Sequence, residues 1–286
     1  MKLTKPIWLL LGLFICIPVA SFGADSNFEK IWEFELKYQD YNNTVQSQPK
    51  EFEDLLLLVD GIGHLIALNK TSGTLVYRKE LGNGLGRRGF ALDKKLGQIA
   101  ITSGSDLFIV DAKSGKVLRQ TKTSFSAAEP IFTSKCIVTF GALDGKVKCH
   151  SRDLQKLFWE ANLGVTGRVW SNVLWSEKHN NLYMVTSNAG GLVAENRMPD
   201  TYSSSIVAIN ASSGSIVFSR QMIRDDVWDF DGVGKPIFIE GFVNEDGLEY
   251  DLVIGLNKSG TIFAVNAVDG AAIKPNQFRQ QLFFKG

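Results

Sequence analysis

Five segments of the 286-residue chain repeat one pattern, and no other feature restricts the fold as tightly. Each has an apolar strand, a short polar turn, a second apolar strand closed by Asn, Asp or Ser, and a Gly-type turn. The segments are residues 55–73, 98–115, 136–155, 181–214 and 251–270; their second strands end in HLIALNKTSG, LFIVDAKSG, KVKCHSRDLQ, SIVAINASSG and TIFAVNAVDG. The closing residues Asn69, Asp111, Ser151, Asn210 and Asn266 stand 42, 40, 59 and 56 residues apart. Four residues past the turn comes an aromatic in three copies: Tyr77, Trp159 and Phe218. The other two carry Arg119 and Lys274, and Gln155 replaces the turn Gly of the third copy. Alternating apolar residues make strands, and Asx with Gly makes the turns between them. A period of about 40 residues holds four short antiparallel strands, one blade of a β-propeller. The expectation is an all-β propeller with about five blades.

The first 24 residues stand outside that pattern. Lys2 and Lys5 precede an apolar run over residues 7–20, and small residues follow at Ser21, Gly23 and Ala24. Such a segment reads as a secretory signal peptide and is too short for a membrane span. Ile15 stands where a lipoprotein signal around Cys16 needs a small residue. Residues 25–286 are therefore expected to form an exported propeller domain, periplasmic or secreted, with no membrane span. In an oxidising compartment Cys136 and Cys149 could form a cross-strand disulfide or remain two half-buried thiols. Lys plus Arg number 31 and Asp plus Glu 30, a balance that lacks the cationic excess of a nucleic-acid binder. The three histidines, His64, His150 and His179, show no zinc spacing.

Two stretches lengthen the repeat and draw attention to themselves as binding loops. They are residues 187–202 (SNAGGLVAENRMPDTY) and 224–234 (RDDVWDFDGVG). Asp229 and Asp231 are two apart, so an extended segment would project both carboxylates one way. Asn188 on the other loop could add an amide oxygen, and hard cations take such ligands. Solvated turn residues are the plain alternative. Gly84 to Gly89 fits G-x-G-x-x-G, but no long helix follows, which removes the context a dinucleotide site requires.

Residues 202–239, YSSSIVAINASSGSIVFSRQMIRDDVWDFDGVGKPIFI, resemble the corresponding stretch of the quinoprotein alcohol dehydrogenases, the propellers dependent on pyrroloquinoline quinone (PQQ). Residues 167–188, GRVWSNVLWSEKHNNLYMVTSN, resemble that family's Trp-containing strand and the Thr-Gly-Asn motif beyond it. The likeness is strongest over residues 167–270 and weaker over 55–163. It implies a metal, calcium or a lanthanide, at Asn188, Asp229 and Asp231. It also implies Asp229 as the catalytic carboxylate and Trp170 as the floor under the quinone. Lys258 would contact the quinone oxygens, and Arg88 a cofactor carboxylate.

The chain also departs from that family. Ser187 replaces a Gly, and the loop at residues 141–145 lacks the family's Glu, offering only Asp144. The adjacent-cysteine pair is missing, its place taken by Leu85-Gly86-Arg87-Arg88. Hydroxyl residues for the cofactor carboxylates are not evident, and five repeats fall short of the family's eight. The resemblance implies a dehydrogenase oxidising an alcohol or sugar hydroxyl by hydride transfer to PQQ. With no C-x-x-C-H present, electrons would pass to a separate cytochrome or quinone. The alternatives are a non-catalytic propeller scaffold of the outer-membrane assembly type, or an inactive, C-terminally incomplete fragment.

Overall fold

A computed structural model describes residues 29–36, 47–60, 63–82, 88–188, 202–224, 226, 228–244 and 246–273. The segment expected to be a signal peptide, residues 83–87 and most of the loop at 187–202 lie outside them. Phe34–Gly286 is one unit and carries every strand. Met1–Glu33 is another, in which Lys30 and Glu33 pair at 2.8 Å.

The strands fall into five antiparallel sheets in chain order. Blade 1 has β1 (Lys50–Phe52), β2 (Leu55–Val59), β3 (His64–Asn69) and β4 (Leu75–Glu80). Blade 2 has β5 (Ala91–Asp93), β6 (Gln98–Ser103), β7 (Asp106–Asp111) and β8 (Val117–Lys122). In blade 3 come β9 (Ile131–Phe132), β10 (Cys136–Phe140), β11 (Lys146–Ser151) and β12 (Leu157–Asn162). Blade 4 contains β13 (Leu174–Ser176), β14 (Asn181–Val185), β15 (Ser205–Asn210) and β16 (Ile216–Gln221). Blade 5 contributes three, β17 (Gly232–Val243), β18 (Glu249–Asn257) and β19 (Ile262–Asn266). Every sheet is an ordered meander, which makes this a partial β-propeller, as the repeats predicted. The repeated segments are the second and third strands of each blade. Among the described residues no helix is long and apolar enough to cross a membrane.

The alternation along each strand has a defined use. In β15, Val207 and Ile209 pack into a cluster shared with blade 3, whereas Ile206 and Ala208 face blade 5. Both faces of a middle strand are thus buried, which is why SIVAIN reads as almost continuously apolar. Similar clusters join blades 1 and 2, and blades 2 and 3.

The aromatics four residues past each turn lock consecutive blades. Tyr77 of blade 1 donates its hydroxyl to Ala112 O at 2.9 Å, and Trp159 of blade 3 donates its indole N–H to Ala211 O at 3.1 Å. Each ring lies on the turn glycine of the following blade: Tyr77 on Gly115, Trp159 on Gly214, Phe218 on Gly270. A Cβ at Gly214 would stand 2.6 Å from the Trp159 ring, and its φ of +75° is itself left-handed. Where blade 2 has Arg119 in place of the aromatic, blade 3 has Gln155 in place of the glycine. That junction is polar: Arg152 donates to Asp93 at 2.6 Å and to Thr133 O at 2.7 Å. Asp153 is held below the usual carboxylate range, chiefly by the Ser151 hydroxyl, with a contribution from Arg119.

Cys136 and Cys149 are disulfide-bonded and fully buried. They sit diagonally across β10 and β11, where Cys136 faces Ser151 and Cys149 faces Val138, with Cα atoms 5.7 Å apart. On the same sheet His150 is buried between blades 2 and 3, its Nε2 3.2 Å from Thr123 Oγ1 and 3.4 Å from Thr139 Oγ1. Burial, assisted by the charge of Lys148, pushes the imidazole from 6.5 down to about 4. Between those values the unfolded chain takes up a proton that the folded chain refuses, so stability falls as pH drops from 6.5 toward 4. The loss should reach about 3 kcal/mol. Urea unfolding at pH 7 and pH 4.5 checks it: His150→Gln should flatten the pH dependence, and an unchanged slope would contradict it.

Candidate functional site

Antiparallel pairing decides which loops share a face. The second strand of a blade ends at the same edge as the fourth, so β2–β3-type loops and blade-to-blade connections emerge together. All six residues named from the sequence lie on such segments. Arg88 is on the blade 1–2 connection and Trp170 on the blade 3–4 connection. Asp229 and Asp231 are on the blade 4–5 connection, while Asn188 follows β14 and Lys258 follows β18. First strands of neighbouring blades also touch, β5 against β9 and β13 against β17, which draws these connections inward.

Four of the six, Arg88, Trp170, Asp231 and Lys258, line one cavity of about 200 Å³, together with Ser171, Gly232 and Val233. The other two stand beside it. Lys258 Nζ donates to Asp229 Oδ2 and Asp231 Oδ2, both at 2.8 Å. Asn188 donates its Nδ2–H to Asp229 Oδ1 at 3.2 Å and its backbone N–H to Asp231 Oδ1 at 2.5 Å. A larger apolar cavity of about 510 Å³, beside Met222 and Phe263, holds none of the six.

The two carboxylates meet at Lys258, but not because the segment is extended. Asp229 has φ +64°, in the left-handed region that Asp enters more readily than most residues, and this replaces the expected strand-like projection. Their environments differ sharply: the Asp231 side chain is 3% exposed and that of Asp229 64%. Burial raises the Asp231 carboxyl above its ordinary value, whereas the Lys258 hydrogen bond lowers that of Asp229. Burial alone would lower the Lys258 ammonium, yet its two carboxylate bonds prevail and raise it.

Residues beyond the six hold this arrangement. Asp226 is buried; its Oδ1 accepts the backbone N–H groups of Trp228 and Phe230, each at 3.1 Å, and its Oδ2 accepts the Ser204 hydroxyl at 3.0 Å. It thereby clamps the turn that carries Asp229. An acidic residue followed by amides two and four positions on is a turn-capping signal, and it was available in DVWDF. Arg168, two residues before Trp170, places its guanidinium 5.5 Å from that ring and its Nε 3.3 Å from Ser187 Oγ. The i, i+2 spacing in an extended segment could have found it. Asp144, the substitute for the absent Glu, serves its own turn, accepting from Ser124 Oγ at 2.8 Å and Lys146 N at 3.1 Å.

Whether such a site suits a flat anionic cofactor can be judged from its donors. The indole N–H of Trp170 is buried and finds no partner among the described residues, an arrangement that costs about 1–3 kcal/mol unless a ligand supplies an acceptor. Arg88 and Lys258 provide cationic donors and Trp170 an aromatic face. These residues fit PQQ. They do not fit a metal ion as arranged, because Asn188 presents its nitrogen to the carboxylates. Among the described residues no three His, Cys, Asp or Glu side chains converge on one point.

Residues 146–280 match the family described as "PQQ: Glucose/ethanol/alcohol dehydrogenase, beta-propeller domain". The quinohemoprotein alcohol dehydrogenase ADH IIB of Pseudomonas putida is 24% identical over 297 aligned positions, covering 84% of this chain and 43% of that protein. A europium-containing methanol dehydrogenase superposes with TM-score 0.69 at 16% identity, over 84% of this chain and 52% of that one. BamB from Moraxella catarrhalis superposes with TM-score 0.57 at 15% identity, over 82% and 62%. The chain thus spans less than half the length of the dehydrogenase from Pseudomonas putida. In sequence pattern and in fold it resembles the PQQ-propeller quinoprotein dehydrogenases, with five blades among the described residues.

Proposed function

We propose that this chain is the cofactor-binding part of an exported, PQQ-dependent dehydrogenase that oxidises an alcohol or sugar hydroxyl. The observation that carries the reading is the shared cavity. Arg88, Trp170, Asp231 and Lys258 come from four separate segments, and the buried indole N–H of Trp170 finds no partner among the described residues. A structural role alone gives no reason to gather these groups at one place.

When bound, PQQ supplies the two-electron acceptor for the substrate's hydride. The chain does the rest. Trp170 offers a face for stacking, while Arg88 and Lys258 offset the carboxylate charges. Asp229, ionised and exposed beside the cavity, accepts the hydroxyl proton from the substrate at its carboxylate. Asp226 and Arg168 keep Asp229 and Trp170 in position. Turning Lys258 from the carboxylates toward the cofactor would strengthen Asp229 as a base. The calcium or lanthanide ion that the resemblance implies does not fit Asn188, Asp229 and Asp231 as they stand, and no step is assigned to it. Electrons leave to a separate acceptor, a cytochrome or a quinone, in the periplasm or outside the cell.

The Lys258 and Asn188 bonds already made by both carboxylates favour a second reading, a propeller that binds proteins and performs no oxidation. One assay separates the two. The purified chain is incubated with PQQ plus calcium, or PQQ plus a lanthanide, and dye reduction is followed with a panel of alcohols and sugars. Substrate-dependent reduction supports the dehydrogenase. Its absence with every substrate and both metals overturns it and leaves the scaffold or an inactive fragment.

A further inference from the structure

All four oxygens of the Asp229–Asp231 pair already accept a hydrogen bond. The two Oδ2 atoms take the Lys258 ammonium, and the two Oδ1 atoms take N–H groups of Asn188. A hard cation drawing on both carboxylates would have to share these oxygens with the donors already on them. It would also lie beside an ammonium, a like charge a few ångströms away.

We propose that Lys258 is itself the resident cation of this site: its ammonium neutralises Asp229 and Asp231 in the free chain, and a calcium or lanthanide ion enters only by displacing it and turning over the Asn188 amide. The proposal rests on reading these residues as the cofactor-facing site. The local geometry permits the exchange. Lys258 Nζ ends a flexible stem that is 40% exposed, so the ammonium can swing away. Its backbone N–H stays bonded to Asp231 O at 3.0 Å, which keeps the two loops together as the side chain leaves. The Asn188 amide needs only a rotation about its last bond to replace N with O. Attraction to the carboxylates grows with ionic charge, so a trivalent ion displaces the ammonium more readily than a divalent one.

The test uses the full, metal-free chain. Terbium is titrated by luminescence sensitised through the neighbouring indoles, and calcium by calorimetry. Lys258→Gln keeps chain length and polarity but removes the charge, and Lys258→Met gives a second, apolar version. Both should bind each ion at least about tenfold more tightly than the parent. Adding Asn188→Ala to Lys258→Gln should abolish the gain. A parent that binds as tightly as Lys258→Gln, or the lack of ion binding in every folded variant, overturns the proposal. PQQ retention measured on the same samples tests the wider reading separately. Ion affinity that rises in a chain unable to hold PQQ would uphold the lysine's role and sink the dehydrogenase.

Discussion

Replacing Gly214 by alanine should destabilise the fold by about 3 kcal/mol, far more than one methyl group ordinarily costs. Two terms add. At φ +75° an L side chain is strained by about 1–2 kcal/mol, and the new Cβ would enter the Trp159 ring at 2.6 Å. The ring cannot withdraw freely, because its N–H is held by Ala211 O at 3.1 Å. Gly164 is the control: its φ is +69°, but nothing lies within 4 Å of an added Cβ, so Gly164→Ala should show the strain alone. Urea denaturation of both variants measures the difference. Trp159→Ala in combination with Gly214→Ala should cost less than the sum of the two, since each removes the same contact. Equal losses for Gly164→Ala and Gly214→Ala would show that the ring does not press on the turn.

The second large effect concerns chemistry. Asp229→Asn should lower alcohol- or sugar-dependent dye reduction about a thousandfold, the scale on which a positioned base acts. The same substitution should leave the unfolding midpoint nearly unchanged, because the side chain is 64% exposed. Asn keeps the shape and can still accept from Lys258, but it cannot take up a proton near neutral pH. Activity within a few-fold of the parent would remove Asp229 from the proton-transfer role and turn attention to Asp231, which lines the cavity.

The blades were legible because the repeat states its own physics. Asn69, Asp111, Asn210 and Asn266 each close a third strand, and their side chains accept the amides of the turn that follows, as at Asn69 with Thr71 and Ser72, both at 3.0 Å. The aromatics Tyr77, Trp159 and Phe218 were visible in the sequence, but their partners were not. An aromatic in one blade and a glycine in the next are joined only when the sheets stack. The paired exception of Arg119 and Gln155 was the clue.

The candidate site was legible in its membership and much less so in its geometry. Asn188, Asp229, Asp231 and Lys258 were named, and the structure brings them within hydrogen-bonding distance. That Lys258 would bind the carboxylates could not be read from GLNKSG, since the lysine is 27 residues beyond Asp231 and reaches it only through the β18–β19 loop. Asp226 was passed over because its neighbours Asp229 and Asp231 drew the metal reading, whereas its buried carboxylate is spent on backbone amides. For Cys136 and Cys149 the register left both a bond and free thiols open, and strand twist brings the diagonal pair close enough for the bond.

The proposed dehydrogenase requires Arg88, Trp170 and Lys258 to form a socket for a flat, anionic redox cofactor. Equilibrium binding of PQQ to the purified chain tests it most directly, read as quenching of indole fluorescence and as cofactor retained after gel filtration. About one PQQ per folded chain is expected, with retention lost in Arg88→Ala and quenching reduced in Trp170→Phe. A folded chain that retains no PQQ, or that holds it equally well after Arg88→Ala and Trp170→Phe, would rule the socket out.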